Sequence, residues 1–304
     1  MNPIVLVNTP LGLLAILMVG LCIGSFLNVC IARWPANESV VAPRSRCGSC
    51  KGAIAWYDNI PLLSWLLLFA KCRLCRAPIS VRYPAVEALT ALALAGISIV
   101  LAPQLAPLPL WKSALILGAG WLLTASTLVV TAVDLEHMII PDEISLNLMG
   151  LGPALAIVVP EIMTEPVLGA ALLHGNPPLA LARESSWTMA LGSSLAGIAL
   201  GGGLLWGLGL IGERVFRKEA MGFGDVKLLA TLGGFLGVEG VLITLVLASL
   251  MGSFVGILTF LVKRTRHIPF GPHLAVGALL TFLIKGPLIH AALTYLGRGR
   301  TPGL

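Results

Sequence analysis

The residues of this chain that could do chemistry are two carboxylates and four thiols. Asp225 lies in Met221-Gly-Phe-Gly-Asp-Val-Lys227, between a glycine pair and the apolar run that begins at Leu228. Gly222 and Gly224 allow backbone conformations and close approaches closed to other residues. Together with Phe223 and Lys227 they form a candidate active-site loop, although on those residues alone the glycines could equally just break a helix before an apolar segment. The second acid comes from Val133-Asp-Leu-Glu-His-Met-Ile-Ile-Pro-Asp142. Asp134 is expected to close a helix over Leu115 to Val133, with its carboxylate just within the membrane boundary. Asp142, before the next apolar run, reads as an ordinary helix-start cap. Asp134 fits a capping role less well, because the helix dipole disfavours an anion at a C-terminus, so it is the preferred partner for Asp225. Two carboxylates around one water do not both ionise easily, so one holds a proton while the other acts as base. Such a pair can activate water and protonate a leaving amine.

The thiols fall into two pairs, Cys47-Gly-Ser-Cys50 and Cys72-Arg-Leu-Cys75, with 21 residues between them. This is close to the spacing of a four-cysteine zinc site. The expected metal is one structural zinc, because four thiolates leave no open position for water. Arg46, Lys51, Lys71 and Arg73 would offset the negative charge of the centre. The alternative is two redox-active pairs, while stable disulfides are disfavoured in a reducing compartment. Cys22 and Cys30 lie inside the first apolar run and read as small packing residues.

These groups must be positioned by membrane helices. Of 304 residues, 57% are hydrophobic and 11% charged, and the mean hydropathy is +0.94, which excludes a water-soluble globule. Apolar runs long enough to cross roughly 30 Å of hydrocarbon lie at 11–32, 85–102, 113–133, 143–159, 188–212 and 273–293. Residues 226–262 hold about two more, divided near Gly233, Gly234, Gly237 and Gly240. The expectation is an all-α polytopic protein of about eight spans, with seven as the rival and no cleavable signal at its start.

Loop 33–84 carries eight basic residues, Arg33, Arg44, Arg46, Lys51, Lys71, Arg73, Arg76 and Arg82, against Glu38 and Asp58. That places it in the cytoplasm. With eight spans the loops at 134–142, 213–225 and 263–272 face the same side, putting both acids at one depth. The net charge of +6 therefore reports topology, and no nucleic-acid partner is expected. The apolar segment from Ile60 to Ala70 is too short to cross and should lie at the membrane interface or within the loop. Residues 160–187 form a long outer loop, and no tandem repeat is evident. The five histidines, His137, His174, His267, His273 and His290, show no metal spacing.

The ordered set of motifs resembles a family, the bifunctional type IV prepilin peptidases, which are membrane aspartic proteases of the GxGD class. The matching stretches are Gly24-Ser-Phe-Leu-Asn28 with Arg33-Trp-Pro35, Arg46-Cys-Gly-Ser-Cys50, Trp56-Tyr-Asp-Asn-Ile-Pro-Leu-Leu-Ser-Trp65, Cys72-Arg-Leu-Cys75, Tyr83-Pro-Ala-Val-Glu87, Asp134 with Ile140-Pro-Asp142, Met221 to Ala230, and Pro269-Phe-Gly-Pro272. The resemblance implies that Asp134 and Asp225 are the catalytic aspartates. The implied substrates are type IV prepilins or pseudopilins, cut after a glycine behind a short basic leader. It further implies N-methylation of the new N-terminus with S-adenosylmethionine, in the bacterial inner membrane with the active site facing the cytoplasm. On this reading residues 1–32 are the first transmembrane helix, 33–84 the loop domain that goes with methylation, and 85–304 the peptidase. Asn28, Asp58, Asn59 and Glu87 are expected methyltransferase residues, chosen for polarity within the matching segments. The 91-residue separation of the aspartates is longer than the family pattern, and Ala220 stands where glycine is common.

A rival from another class is a transporter whose acids relay ions or protons. The acids cluster at one face and none pairs at mid-bilayer, which counts against it. A signal-peptide-peptidase-like protease would be expected to carry Tyr-Asp at the first acid, whereas Val133 precedes Asp134 here.

Overall fold

A computed structural model describes residues 3–164, 187–217, 221–263 and 269–298. It divides into two units, Met1–His137 and Met138–Leu304. The described residues are mostly helical and include no β-strand.

The first unit is built on three long helices, α1 (Pro10–Arg33), α3 (Arg82–Leu105) and α4 (Leu110–His137), with the short α2 (Leu63–Leu67) in the loop between α1 and α3. Pro10 opens α1, and the Thr9 hydroxyl accepts the Gly12 N–H at 3.1 Å, satisfying one donor that a helix start leaves free. Helices in hydrocarbon associate by close packing of small residues, and α1 meets α3 in that way. A methyl group placed on Gly20 or Gly24 would fall 2.6 Å from the Cα of Ala91 or Glu87 respectively. Polar groups inside this packing are paired: the Trp121 indole donates to the Ser98 hydroxyl at 2.9 Å, and the Asn28 amide donates to the Tyr83 carbonyl at 3.0 Å.

The second unit contains three short helices, α5 (Asp142–Ser145), α6 (Leu151–Val158) and α7 (Glu161–Thr164), followed by the long α8 (Trp187–Phe216), α9 (Phe223–Lys263) and α10 (Gly271–Arg298). A non-helical Gly237, with φ 70° and ψ −176°, divides α9. That conformation is open to glycine and strained for other residues, so the expected division of 226–262 falls within the glycine cluster. Gly233 lies backbone to backbone against Gly197 of α8, and Gly234 against Gly152 of α6. The Ser194 hydroxyl adds a 2.7 Å bond to the Gly234 carbonyl. Further along, the Thr244 hydroxyl donates to that of Thr281 at 3.0 Å, joining α9 to α10.

Among the described residues, five helices are long and apolar enough to cross a membrane: Pro10–Ala36, Arg82–Pro103, Leu110–His137, Trp187–Val215 and Phe223–Val262. Many large apolar side chains on them face outward, including Leu11, Leu14, Met18, Phe254 and Leu261. Together with the composition this makes the chain a multi-pass membrane protein, and eight separate spans are not seen among the described residues. Three expected runs account for the difference. Of 273–293, the described residues give only the shorter apolar stretch Gly271–Ile284. The apolar run 143–159 is broken into α5 and α6 with turns between, and the two helical pieces of 226–262, divided at Gly237, are counted together as one kinked helix. The outer loop of 160–187 lies largely outside the described residues.

The segment from Ile60 to Ala70 forms α2 and its flanks, with Leu63, Leu66, Leu67 and Phe69 exposed. It is also tied into the loop, since the Trp65 indole donates to the Ile79 carbonyl at 3.1 Å.

Candidate active site and four-cysteine centre

Asp134 does not end its helix. α4 continues through Leu135, Glu136 and His137 and stops where Met138 takes a left-handed φ of 53°. The continuation is electrostatically supported, because Glu136 forms an ion pair with Arg82 at the start of α3. Asp134 is 6% exposed and adjoins Val130 and Val133, which are fully buried. An ionisable group enclosed on an apolar helix is costly unless it is used, which marks it as a functional candidate.

Asp225 belongs to the second unit, at the third position of α9. Its N–H bonds to the Gly222 carbonyl at 3.2 Å, and an acid in the first turn is favoured by the helix dipole. The two glycines are not equivalent. A methyl group on Gly222 would meet the Asp225 carboxylate at 3.7 Å, an ordinary contact, whereas one on Gly224 would press on Ile140 at 3.2 Å. Phe223 is exposed, and the Lys227 ammonium lies 5.3 Å from its ring centroid.

Asp142 is not the expected cap. Pro141 holds that position, and Asp142 is the first helical residue of α5. Its carboxylate instead receives the Lys227 ammonium at 2.8 Å. Sequence reading missed this contact; the signal available was one acid and one base in two loops assigned to the same face. Of the histidines, His137 stands 3.8 Å from Glu136 and a His273 ring nitrogen 3.1 Å from the Pro269 carbonyl. His174, His267 and the His290 side chain lie outside the described residues.

The four cysteines converge in the loop of the first unit. Their sulfurs all lie within 4.8 Å of one another, and those of Cys47 and Cys75 are 3.8 Å apart. A tetrahedral zinc with metal–sulfur bonds of about 2.3 Å requires sulfur–sulfur edges of about 3.8 Å, so the thiols fit that ion. Each pair sits on the same local structure, which the sequence reading had not recognised as a repeat. In the first, the Cys47 N–H bonds to the Gly52 carbonyl at 2.9 Å and the Lys51 N–H to the Cys47 carbonyl at 3.0 Å. In the second, Cys72 and Ala77, and Arg76 and Cys72, do the same at 2.8 and 3.0 Å. Lys51 and Arg76 each take a left-handed φ, 57° and 59°.

This geometry makes the thiols unlike. Backbone N–H groups of Cys50 and Ser49 aimed at Cys47 lower its pKa to about 6. At Cys75 the Ala77 N–H acts downward, but burial and the hydrogen-bonded thiols of Cys50, Cys72 and Cys47 outweigh it and raise the pKa to about 11. A bound cation would favour the deprotonated form of all four thiols.

Of the four residues expected to serve methylation, three have partners within the first unit. Asn28 bonds to Tyr83, as described above. Glu87 is buried and accepts the Leu62 N–H at 2.8 Å, supporting a residue at φ 59°. Asp58 is held by both arms of the Arg73 guanidinium at 2.7 and 2.5 Å, and that guanidinium also lies over the Tyr57 ring. Asn59 is exposed. The contacts of Asn28, Asp58 and Glu87 lie within the first unit and organise the loop.

Two family models match the chain in succession. Residues 18–101 match the bacterial peptidase A24 N-terminal domain, and residues 121–257 match the type IV leader peptidase family. A prepilin leader peptidase/N-methyltransferase from Aeromonas hydrophila is 36% identical over 88% of this chain and 89% of its own length. One of the same name from Myxococcus xanthus is 38% identical over 83% of this chain and 64% of its own length. A type 4 prepilin-like proteins leader peptide-processing enzyme from Escherichia coli is 35% identical over 88% of this chain and 91% of its own length. No solved structure matches. The chain therefore belongs to the type IV leader peptidase family, as a membrane enzyme that joins a peptidase to an N-methyltransferase.

Proposed function

We propose that the enzyme removes the leader of type IV prepilins or pseudopilins at the cytoplasmic face of the inner membrane, with Asp134 and Asp225 as the catalytic pair. The burial of Asp134 on an apolar helix is the observation that carries this reading. A prepilin leader keeps its basic residues in water while the mature helix enters lipid, so its cleavage requires acids at the boundary. One carboxylate takes a proton from water, whose oxygen attacks the scissile carbonyl. The protonated partner stabilises the developing oxyanion and passes its proton to the leaving amine as the C–N bond breaks. The pair titrates as a couple rather than as two independent acids.

Methylation of the released N-terminus is proposed to use S-adenosylmethionine, which supplies an electrophilic methyl group. Asn28, Asp58, Asn59 and Glu87 are the residues proposed to serve it. Cys47, Cys50, Cys72 and Cys75 would hold one zinc as a structural staple for a loop with little core of its own. Membrane lipid is the surrounding partner. Leader loss in a purified prepilin, followed by mass spectrometry with wild type and with Asp134→Asn and Asp225→Asn, tests the reading: both variants should leave the substrate whole.

A further inference from the structure

The start of α9 poses a mechanical problem. The carboxylate assigned to catalysis sits in a first turn that contains Gly224 and follows Gly222, and glycine weakens helices relative to alanine. Helix ends with few packed side chains open most readily. Yet an acid that must activate one water needs a fixed position.

The segment 140–145 supplies a brace against this turn. It meets one face of α9 at three successive heights, all within the second unit. Gly224 packs on Ile140, Lys227 bonds to Asp142 at 2.8 Å, and the Thr231 hydroxyl donates to the Ser145 carbonyl. Positions 224, 227 and 231 follow helical spacing and share a face. The lowest level is buried, with Thr231 at 2% and Ser145 at 0% exposure. The upper levels flank Asp225.

Lys227 has a second contact that ties the brace to the loop. Its ammonium lies over Phe223, one turn earlier, while bonded to Asp142. A cation near a helix start is disfavoured by the dipole, so the position calls for a partner anion. With side-chain exposures of 25% for Lys227 and 56% for Asp142, the pair is open enough that it adds little to global stability.

We propose that Asp142 and Lys227 are a positioning pair for cleavage, holding the first turn of α9 against 140–145 so that Asp225 stays in register. Neither touches the reacting atoms. This deepens the proposed function and rests on Asp225 being catalytic.

The test uses full-length enzyme in detergent or lipid, with Lys227→Met, Asp142→Asn, the double variant, and the conservative Lys227→Arg. Each single variant should lower kcat for leader cleavage roughly 10- to 100-fold, the scale of a small misplacement of reacting groups, with KM nearly unchanged. The double variant should be no worse than the singles, and Lys227→Arg should recover most of the activity. Amides of residues 223–227 should exchange hydrogen faster in Lys227→Met, while those beyond Thr231 stay protected. Wild-type kcat and unchanged exchange in Lys227→Met would overturn the proposal, as would singles whose losses multiply in the double variant. If instead Asp225→Asn cleaves normally, the catalytic assignment fails, and the exchange data still decide whether the brace exists.

Discussion

Gly224 and Ile140 lie so close that a methyl group on the glycine would fall 3.2 Å from the Ile140 Cβ. The corresponding methyl on Gly222 meets only the Asp225 carboxylate, at 3.7 Å. The family's two glycines thus have different duties, one a backbone approach and the other an open bend.

This difference predicts an order of effects. Gly224→Ala should lower leader cleavage more than Gly222→Ala does, roughly ten-fold as a scale for a small shift of the acid-bearing turn. Thermal stability of the two variants should stay close to wild type: at Gly224 alanine's better helix propensity of about 1 kcal/mol offsets the crowding, and Gly222 precedes the helix and has room for a methyl group. Initial rates on a purified prepilin, with melting in detergent alongside, check both parts. Equal losses, or a larger loss for Gly222→Ala, would contradict the assignment.

The four-thiol centre should contain about one zinc per chain, as a single tetrathiolate site requires. Cys47→Ser should remove it, and so should a strong chelator. Elemental analysis with thiol alkylation measures this. The expected result is one metal and protected thiols in wild type, with no metal and freely alkylated remaining cysteines in the variant.

The Asp58–Arg73 pair gives the loop an acid limit. The Arg73 guanidinium, through its hydrogen bonds and then its charge, outweighs desolvation and holds the Asp58 carboxyl below its ordinary range. Its stabilising effect is therefore fully present above the ordinary aspartate pKa and is lost as pH falls through the lowered, folded value. Arg73→Met should raise the Asp58 pKa and shift the loop's acid transition to higher pH. Carboxyl NMR titration of aspartate-labelled protein follows both.

Gly24 has no room for a side chain, since any Cβ would fall 2.6 Å from the Glu87 backbone. Gly24→Val should separate α1 from α3 and destabilise the protein by about 1–3 kcal/mol, the usual scale of overpacking. It should disturb the loop that these helices frame, including the Glu87 contact to Leu62. Reduced melting temperature and faster proteolysis within 33–84 are the expected observations.

What could be read from the residue order follows the range of the forces involved. The cysteine pairs were legible because thiol spacing within each turn determines whether both sulfurs can reach one ion. The division near Gly237 was legible because only glycine tolerates that backbone. The end of α4 was not, because Glu136 is kept helical by Arg82, which is distant in sequence. Run 143–159 was misread as one span because hydropathy records burial in an apolar setting and is blind to the turns between Ser145 and Leu151. Asn28, Asp58 and Glu87 stood out because polarity in an apolar chain marks need for a partner. The partners are Tyr83, Arg73 and Leu62, which no local pattern discloses. For Asp142 the chain position suggested a cap, and the contact to Lys227 arises only from packing α5 on α9.

The central claim is that Asp134 and Asp225 together perform the cleavage. Single-turnover assays of Asp134→Asn and Asp225→Asn on a purified prepilin, in the same membrane preparation as wild type, test it most directly. The account predicts that each variant is present at normal levels, keeps its zinc and leaves the leader uncut, while still methylating a prepilin supplied already processed. Leader removal at a near wild-type rate by either variant would contradict it.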